Sequence, residues 1–195
     1  MLSTEEITDH IRACGRNSRE SQKMIYRYFY SYAMGVCKRY SNNNKDAVEI
    51  LNEGFLNIFK KIHHHKGVPA NVVNSFKGWL RGIMIETAVR YFKKNYRHEM
   101  LIDPDNITYQ FPSANEDSAE KLSHEETIEA IRDLSPLYRT IFNLFVIEGL
   151  DHDVISKKLE ISVSASKLNL SKARKNLEKI LGKQNNFSLG NCCIS

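Results

Sequence analysis

Apolar residues in the first hundred positions recur at helical intervals, and no stretch there alternates apolar and polar residues as a half-buried strand would. Across residues 21–40 the positions Ile25, Phe29, Tyr32, Ala33, Val36 and Tyr40 fall on one face of a long helix. Ser41-Asn42-Asn43-Asn44 interrupts it, because Ser and Asn favour turns. Asp46 or the Asn before it caps a second helix, residues 46–62, whose stripe is Ala47, Leu51, Phe55, Phe59 and Ile62. Gly54 inside that helix costs ~1 kcal/mol relative to Ala, which predicts that a third helix packs against it. Residues 63–74 have no apolar period and hold Gly67 and Pro69, so they read as a loop. Ser75 is expected to cap a third helix, residues 76–96, with Phe76, Leu80, Ile83, Thr87 and Tyr91 as its stripe. Trp79, Met84 and Ala88 widen that stripe, which places Trp79 in the core.

Residues 99–123 hold Pro104, Pro112, several Asn and Ser and most of the nearby acids, the composition of a linker. A second helical block follows. Residues 125–134 carry Ile128, Ile131 and Leu134. Ser135-Pro136 starts a helix over 137–148, since Pro suits a first turn, and Gly149 ends it. Asp151 caps a short helix carrying Val154, Ile155 and Leu159. Ser162 caps a last one, residues 163–181, carrying Leu170, Ala173 and Leu177. Two helices joined by so short a turn cross steeply, which is helix-turn-helix geometry. Glu160 stands in the turn where many such motifs place Gly, so the turn is expected to be strained or unusual in shape. Residues 183–195 read as a polar, frayed tail.

Charge sharpens this division. The net charge is +5, but residues 1–100 carry +8, residues 101–126 carry −6 and residues 127–195 carry +3. Two basic blocks flanking an acidic connector suit a polyanion held at both ends. Four cysteines, Cys14, Cys37, Cys192 and Cys193, form no CxxC pair and fit neither a disulfide scaffold nor a zinc finger; reduced thiols in a cytoplasmic protein are expected. The acidic start Met1-Leu2-Ser3-Thr4-Glu5-Glu6 lacks an apolar signal core, and no apolar run approaches the ~18 residues that span a bilayer. Cys192-Cys193-Ile194-Ser195 matches a prenylation box only formally, because four residues match often by chance.

The residue pattern favours recognition over chemistry. No Ser/His/Asp set, phosphate loop or reactive carboxylate pair stands out. His63-His64-His65 has no cysteine partner nearby, and adjacent loop residues rarely converge on one metal ion. The second helix of the helix-turn-helix would present Ser162, Ser164, Ser166, Lys167 and Asn169 to base edges in a major groove, with Ser171, Lys172, Arg174 and Lys175 reaching phosphates. Arg90, Tyr91, Lys93, Lys94, Tyr96 and Arg97 interleave cations and aromatics as single-strand binding requires.

The motifs resemble a known family. Glu148-Gly149-Leu150, then Val154-Ile155-Ser156-Lys157-Lys158-Leu159-Glu160-Ile161-Ser162, then Leu170-Ser171-Lys172-Ala173-Arg174-Lys175-Asn176-Leu177 resemble region 4 of sigma factors, roughly EGxSxxEIAxxLGIS followed by LxRARxxL. Val154, Ser156, Glu160 and Lys172 depart from the usual Glu, Ala, Gly and Arg. Asp46-Ala47-Val48-Glu49-Ile50-Leu51-Asn52-Glu53-Gly54-Phe55 is similar to the region 2.2 pattern DAEDLxQExF. Phe76-Lys77-Gly78-Trp79-Leu80 through Lys93-Lys94 is similar to the region 2.3–2.4 helix. The lack of a recognisable region 3 points to the extracytoplasmic-function (ECF) group of the sigma-70 family.

That resemblance implies an all-α protein of two small helical domains: region 2 over residues 1–98, an acidic linker over 99–126, region 4 over 127–182 and a tail over 183–195. It implies an alternative sigma factor, not an enzyme, that directs RNA polymerase to promoters with no cofactor, metal or membrane insertion. Asp46, Glu49, Asn52, Glu53 and Asn57 would meet the β′ clamp helices of core polymerase. Region 4 would grip the minus-35 element and touch the β flap. His64, His65, Asn71 and Asn74 would hold a flipped minus-10 base, whose extrusion costs a few kcal/mol, and Arg90, Tyr91, Lys93, Lys94 and Arg97 would hold the melted strand. An anti-sigma factor is a further candidate partner. The alternative left open is a stand-alone helix-turn-helix regulator that binds palindromic duplex DNA as a dimer.

Overall fold

The structure, a computed structural model, describes residues 3–65, 71–96 and 129–190. The expected linker, Arg97, the start of the helix expected over 125–134, and Cys192 and Cys193 all lie outside the described residues. The chain divides into two compact units, Met1–Tyr91 and Phe92–Ser195. Every regular element among the described residues is helical, in agreement with the all-α expectation.

The first unit opens with a helix that apolar periodicity beyond residue 21 did not predict. Helix α1, Thr4–Cys14, starts at a capping box in which Ser3 Oγ accepts from the Glu6 N–H (3.2 Å) and Glu6 accepts from the Ser3 N–H (2.7 Å). Ile7, Ile11 and Cys14 are its buried face. A turn through Asn17, whose φ of 60° an Asn tolerates better than most residues, leads into α2. Helix α2, Arg19–Tyr40, is capped by Ser18 and buries Ile25, Phe29, Ala33 and Val36. Helix α3, Asn44–Lys61, is capped by Asn43, whose Oδ1 accepts from the Asp46 N–H at 2.9 Å. The helix thus begins two residues before Asp46, and Asp46 is not its cap. A 3₁₀ turn, Ile62–His64, follows.

Helix α4, Val72–Asn95, starts four residues before the expected Phe76. Asn71 Oδ1 accepts from the Asn74 N–H at 3.3 Å, so Asn71, not Ser75, does the capping. Phe76, Leu80, Met84 and Ala88 are buried. A Cβ placed on Gly54 would overlap Met84 Sδ, so α3 and α4 meet at that glycine as its position within a helix predicted. Cys37 Sγ contacts Met84 Sδ at 3.9 Å, and Phe29 meets Phe76 with ring centroids 5.2 Å apart, which closes α2 onto the same core. Cys14 and Cys37 are free thiols, and burial pushes them up to about 11 and about 12.

In the second unit, residues 129–132 close a helical turn. Helix α5, Pro136–Phe142, has Pro at its first position and passes directly into a π turn, Asn143–Ile147. Buried Arg139 donates to the Leu134 carbonyl at 2.9 Å. Gly149, at φ +67°, ends the segment in the left-handed region where glycine carries no Cβ penalty. Helix α6, His152–Leu159, and helix α7, Val163–Gly190, complete the unit. Helix α7 extends past the expected end at residue 181, to Gly190. Ile141, Leu144, Ile155, Leu159, Leu170 and Ala173 form the core.

Candidate nucleic-acid interface

The helix-turn-helix is built as its residue types require. Asp151 precedes α6, and its carbonyl accepts from the Val154 and Ile155 N–H groups, each at 3.0 Å. Ile155 and Leu159 anchor α6 in the core. Glu160 then takes φ 59°, ψ 42°, the left-handed conformation that glycine adopts more cheaply. Ser162 Oγ accepts from the Ala165 N–H at 3.0 Å, which caps α7, and lies 2.9 Å from Ser164 Oγ.

The face that α7 offers differs from expectation at two positions. Ser166 is 0% exposed and Asn169 6% exposed, so neither reaches a base edge. They sit four residues before Leu170 and Ala173, and a helix places residues four apart on the same face. The buried Ser166 hydroxyl instead meets His152 Nδ1 at 2.9 Å, and the His152 ring stacks on Phe145 with centroids 4.5 Å apart. Ser164, Lys167 and Arg174 are exposed and Ser171 half-buried; spaced i, i+3, i+7 and i+10, they share one outward edge, with Lys172 and Lys175 half-buried beside it. The field of that edge is felt at His152. Burial first, then Lys167 and Arg174, hold its imidazole below the ordinary value, while Asp153 and Asp151 pull the other way.

In the first unit the polar face of α3 is only partly as expected. Glu49 and Asn52 are exposed, and Glu53 and Asn57 half-buried. Asp46 is 9% exposed, because it sits beside Ala47 at the capped end of the helix, so it offers little to a partner. Asn52 Oδ1 accepts from Tyr26 Oη at 3.4 Å, and Asn57 Nδ2 donates to Thr87 Oγ1 at 3.4 Å. Glu53 and Arg90, read from the sequence as serving different partners, form an ion pair at 3.4 Å. Two exposed apolar residues escaped sequence reasoning, Val48 and the 60%-exposed Leu56. They stand four residues before and after Asn52, on the face that pattern alone reserved for polar groups.

The residues expected around a flipped base are scattered in environment. His63 and His64 are exposed with ring centroids 3.9 Å apart. Half-buried His65 packs on Phe76 (5.5 Å) and Trp79 (5.0 Å), and burial lowers its imidazole. Trp79 is itself half-buried, not fully in the core, because its ring covers His65 at the surface end of the stripe. Asn74 is exposed, but on the first turn of α4 instead of in a loop, and the Asn71 amide oxygen is occupied by capping. Arg90 and Lys94 are exposed, and Tyr91 and Lys93 half-buried. Lys77 Nζ lies 4.4 Å from the Tyr32 ring centre, a cation–π contact. Among the described residues no group of three or more His, Cys, Asp or Glu could hold a metal ion, and no helix is long and apolar enough to cross a membrane.

A helix-turn-helix with a cationic outer edge, in a chain whose other unit carries a basic, aromatic-rich helix, defines a helical nucleic-acid-recognition protein. Residues 25–98 match the family Sigma-70 region 2, and residues 124–177 match Sigma-70, region 4. The chain belongs to the sigma-70 family. It is 23% identical over 170 residues to the ECF RNA polymerase sigma factor SigE of Mycolicibacterium smegmatis; the match takes in 85% of this chain and 60% of that relative's length. Among solved structures it is similar to the sigma factor RpoE in complex with the anti-sigma factor NepR from Bartonella quintana, at 16% identity and TM-score 0.46, covering 82% of this chain and 96% of that one. The RsbN–BldN complex gives 14% identity and TM-score 0.35, covering 87% and 98%.

Proposed function

We propose that the chain is an alternative sigma factor that directs RNA polymerase to a promoter and carries out no chemistry of its own. The observation that carries this reading is the pair of sigma regions in family order within one chain, at residues 25–98 and 124–177. The domains proposed are region 2 over residues 1–98, a connector over 99–126, region 4 over 127–182 and the remainder as tail. Region 4 would read the minus-35 element through Ser164, Lys167 and Ser171, with Lys172, Arg174 and Lys175 on phosphates; Ser162 would act as the cap that aims the helix. The melted minus-10 strand would lie against His64, His65, Asn74, Arg90, Tyr91, Lys93 and Lys94. Glu49, Asn52, Glu53 and Asn57, with Val48 and Leu56 beside them, would meet the β′ clamp helices, and region 4 would touch the β flap. Such a subunit works where core polymerase is, in the cytoplasm, and an anti-sigma factor would act by covering these same faces.

Run-off transcription tests this. Core RNA polymerase with the purified chain is expected to yield a transcript from a promoter of the chain's own organism, and core alone none. Equal transcription with and without the chain would overturn the proposal.

A further inference from the structure

We propose that a cleft between the end of α1 and the turn after α3 is a seat for a phosphodiester of single-stranded DNA, with Arg12 and Arg16 as its cations. The cleft encloses about 470 Å³ and is lined by Arg12, Arg16, His63 and His65 over an apolar floor that includes Ile62 and Val72. Among the described residues no carboxylate lines it. Its size falls within the ~300–1,000 Å³ usual for small-ligand sites. The α1 side lies before residue 25, outside the stretch that matches region 2, so this surface is added to what the family match covers.

The two arginines differ in what holds them. Arg12 lies in the last turn of α1, where a cation suits the helix dipole, and pairs with Asp9 at 3.4 Å. Both partners of that pair are well exposed, and such surface pairs contribute little, so exchange of Asp9 for a phosphate oxygen is cheap. Arg16 lies beyond the helix, exposed, in the turn that Asn17 closes. The dipole of α1 does not explain it, and no acid pairs with it among the described residues. His65 adds a third donor group. Its Nε2 is shut from water yet has no hydrogen-bond partner, and a buried polar atom without a partner is costly. Turned toward the cleft in its Nε2–H tautomer, the half-buried ring would donate to a phosphate oxygen or a base edge.

The aromatic neighbours point to a nucleotide strand instead of a free anion. His65 packs on Trp79, and Trp79 on Phe76 with centroids 5.6 Å apart. The rings that line the cleft are the imidazoles of His63 and His65, held in place from behind by Trp79 and Phe76; rings of this kind beside cations are what single-strand binding uses. A strand entering here would extend the minus-10 contacts proposed above, and to that extent the inference rests on the sigma reading.

Trp79 is the chain's one tryptophan and packs on His65, which lines the cleft, so its emission reports on that wall. The full chain is titrated with a short oligothymidylate while Trp79 emission is followed, with inorganic phosphate as a second arm. The oligonucleotide is expected to give a saturating change, roughly tenfold weaker in Arg12→Ala/Arg16→Ala and unaltered in Lys38→Ala, which removes an exposed cation near the C-terminal end of α2. The slope of log affinity against log salt should fall by about 1.4 in the double variant, at ~0.7 per phosphate contact on a single strand. An unsaturable response, equal affinity in the double variant, or the same change with inorganic phosphate at equal phosphate concentration would overturn the proposal. Run-off transcription separates this result from the sigma reading: a transcript without a titration response sinks the cleft alone, and a titration response without a transcript sinks the promoter reading alone.

Discussion

Lys167 and Asn169 lie two positions apart on α7 and face opposite environments, the first exposed and the second buried. Their substitutions should therefore fail differently. Lys167→Ala is expected to keep the thermal midpoint and weaken promoter binding by ~1–3 kcal/mol if it meets a base, or uniformly across sequences if it meets a phosphate. Asn169→Ala is expected to lower the midpoint instead, because truncating a buried side chain forfeits its packing, a loss of ~0.5–3 kcal/mol. Thermal melts alongside binding curves check both. The imidazole of His152 gives a pH signature. Its folded value is lowered, chiefly by burial and then by Lys167, so in the window below the ordinary 6.5 the unfolded chain binds more protons than the folded one. Stability is full above 6.5 and declines as pH falls through 6.5 to the folded value. His152→Gln should remove that share of the acid loss, read from melts at neutral and mildly acidic pH, while His65 in the first unit retains its own. An unchanged acid dependence in His152→Gln would assign the loss elsewhere.

At the scale of elements, the contact of α3 with α4 turns on a single missing side chain. Gly54→Ala improves helix propensity by ~1 kcal/mol but forces buried Met84 to move, and overpacking costs ~1–3 kcal/mol. The expected result is net destabilisation in chemical unfolding. Combined with Met84→Ala, which alone costs ~2–5 kcal/mol, the loss should be smaller than the two single losses added. The turn between α6 and α7 predicts the opposite sign. Glu160→Gly is expected to stabilise the second unit by up to ~1 kcal/mol, since Glu160 holds the left-handed conformation. Both sites were legible because a Gly inside a helix and a Glu in a tight turn each contradict local preference. Ser166 and Asn169 misled because short polar residues on an apolar face resemble a binding edge; counting back four from Leu170 and Ala173 places them inside. Helix α1 was legible in Ser3-x-x-Glu6 and the spacing of Ile7, Ile11 and Cys14, a capping box followed by a narrow stripe. The π turn and buried Arg139 have no such signal, because backbone register and a carbonyl partner leave no mark on residue type.

At the scale of the molecule, the order of motifs carried more than any one of them. A basic first block, an acidic middle and a basic second block are visible in the charge count, and the chain divides into two compact units with the boundary between Tyr91 and Phe92. What charge and period left open is division of labour, since Glu53 and Arg90, assigned to different partners, sit 3.4 Å apart. On the proposed reading the chain would carry two modest recognition surfaces and depend on polymerase to hold them on one promoter. Fluorescence anisotropy of a labelled promoter duplex, titrated with the chain alone, with core polymerase alone and with the two together, measures that dependence. Specific binding that survives competitor DNA is expected only in the mixture; tight, sequence-specific binding by the chain alone would make it a self-sufficient regulator instead.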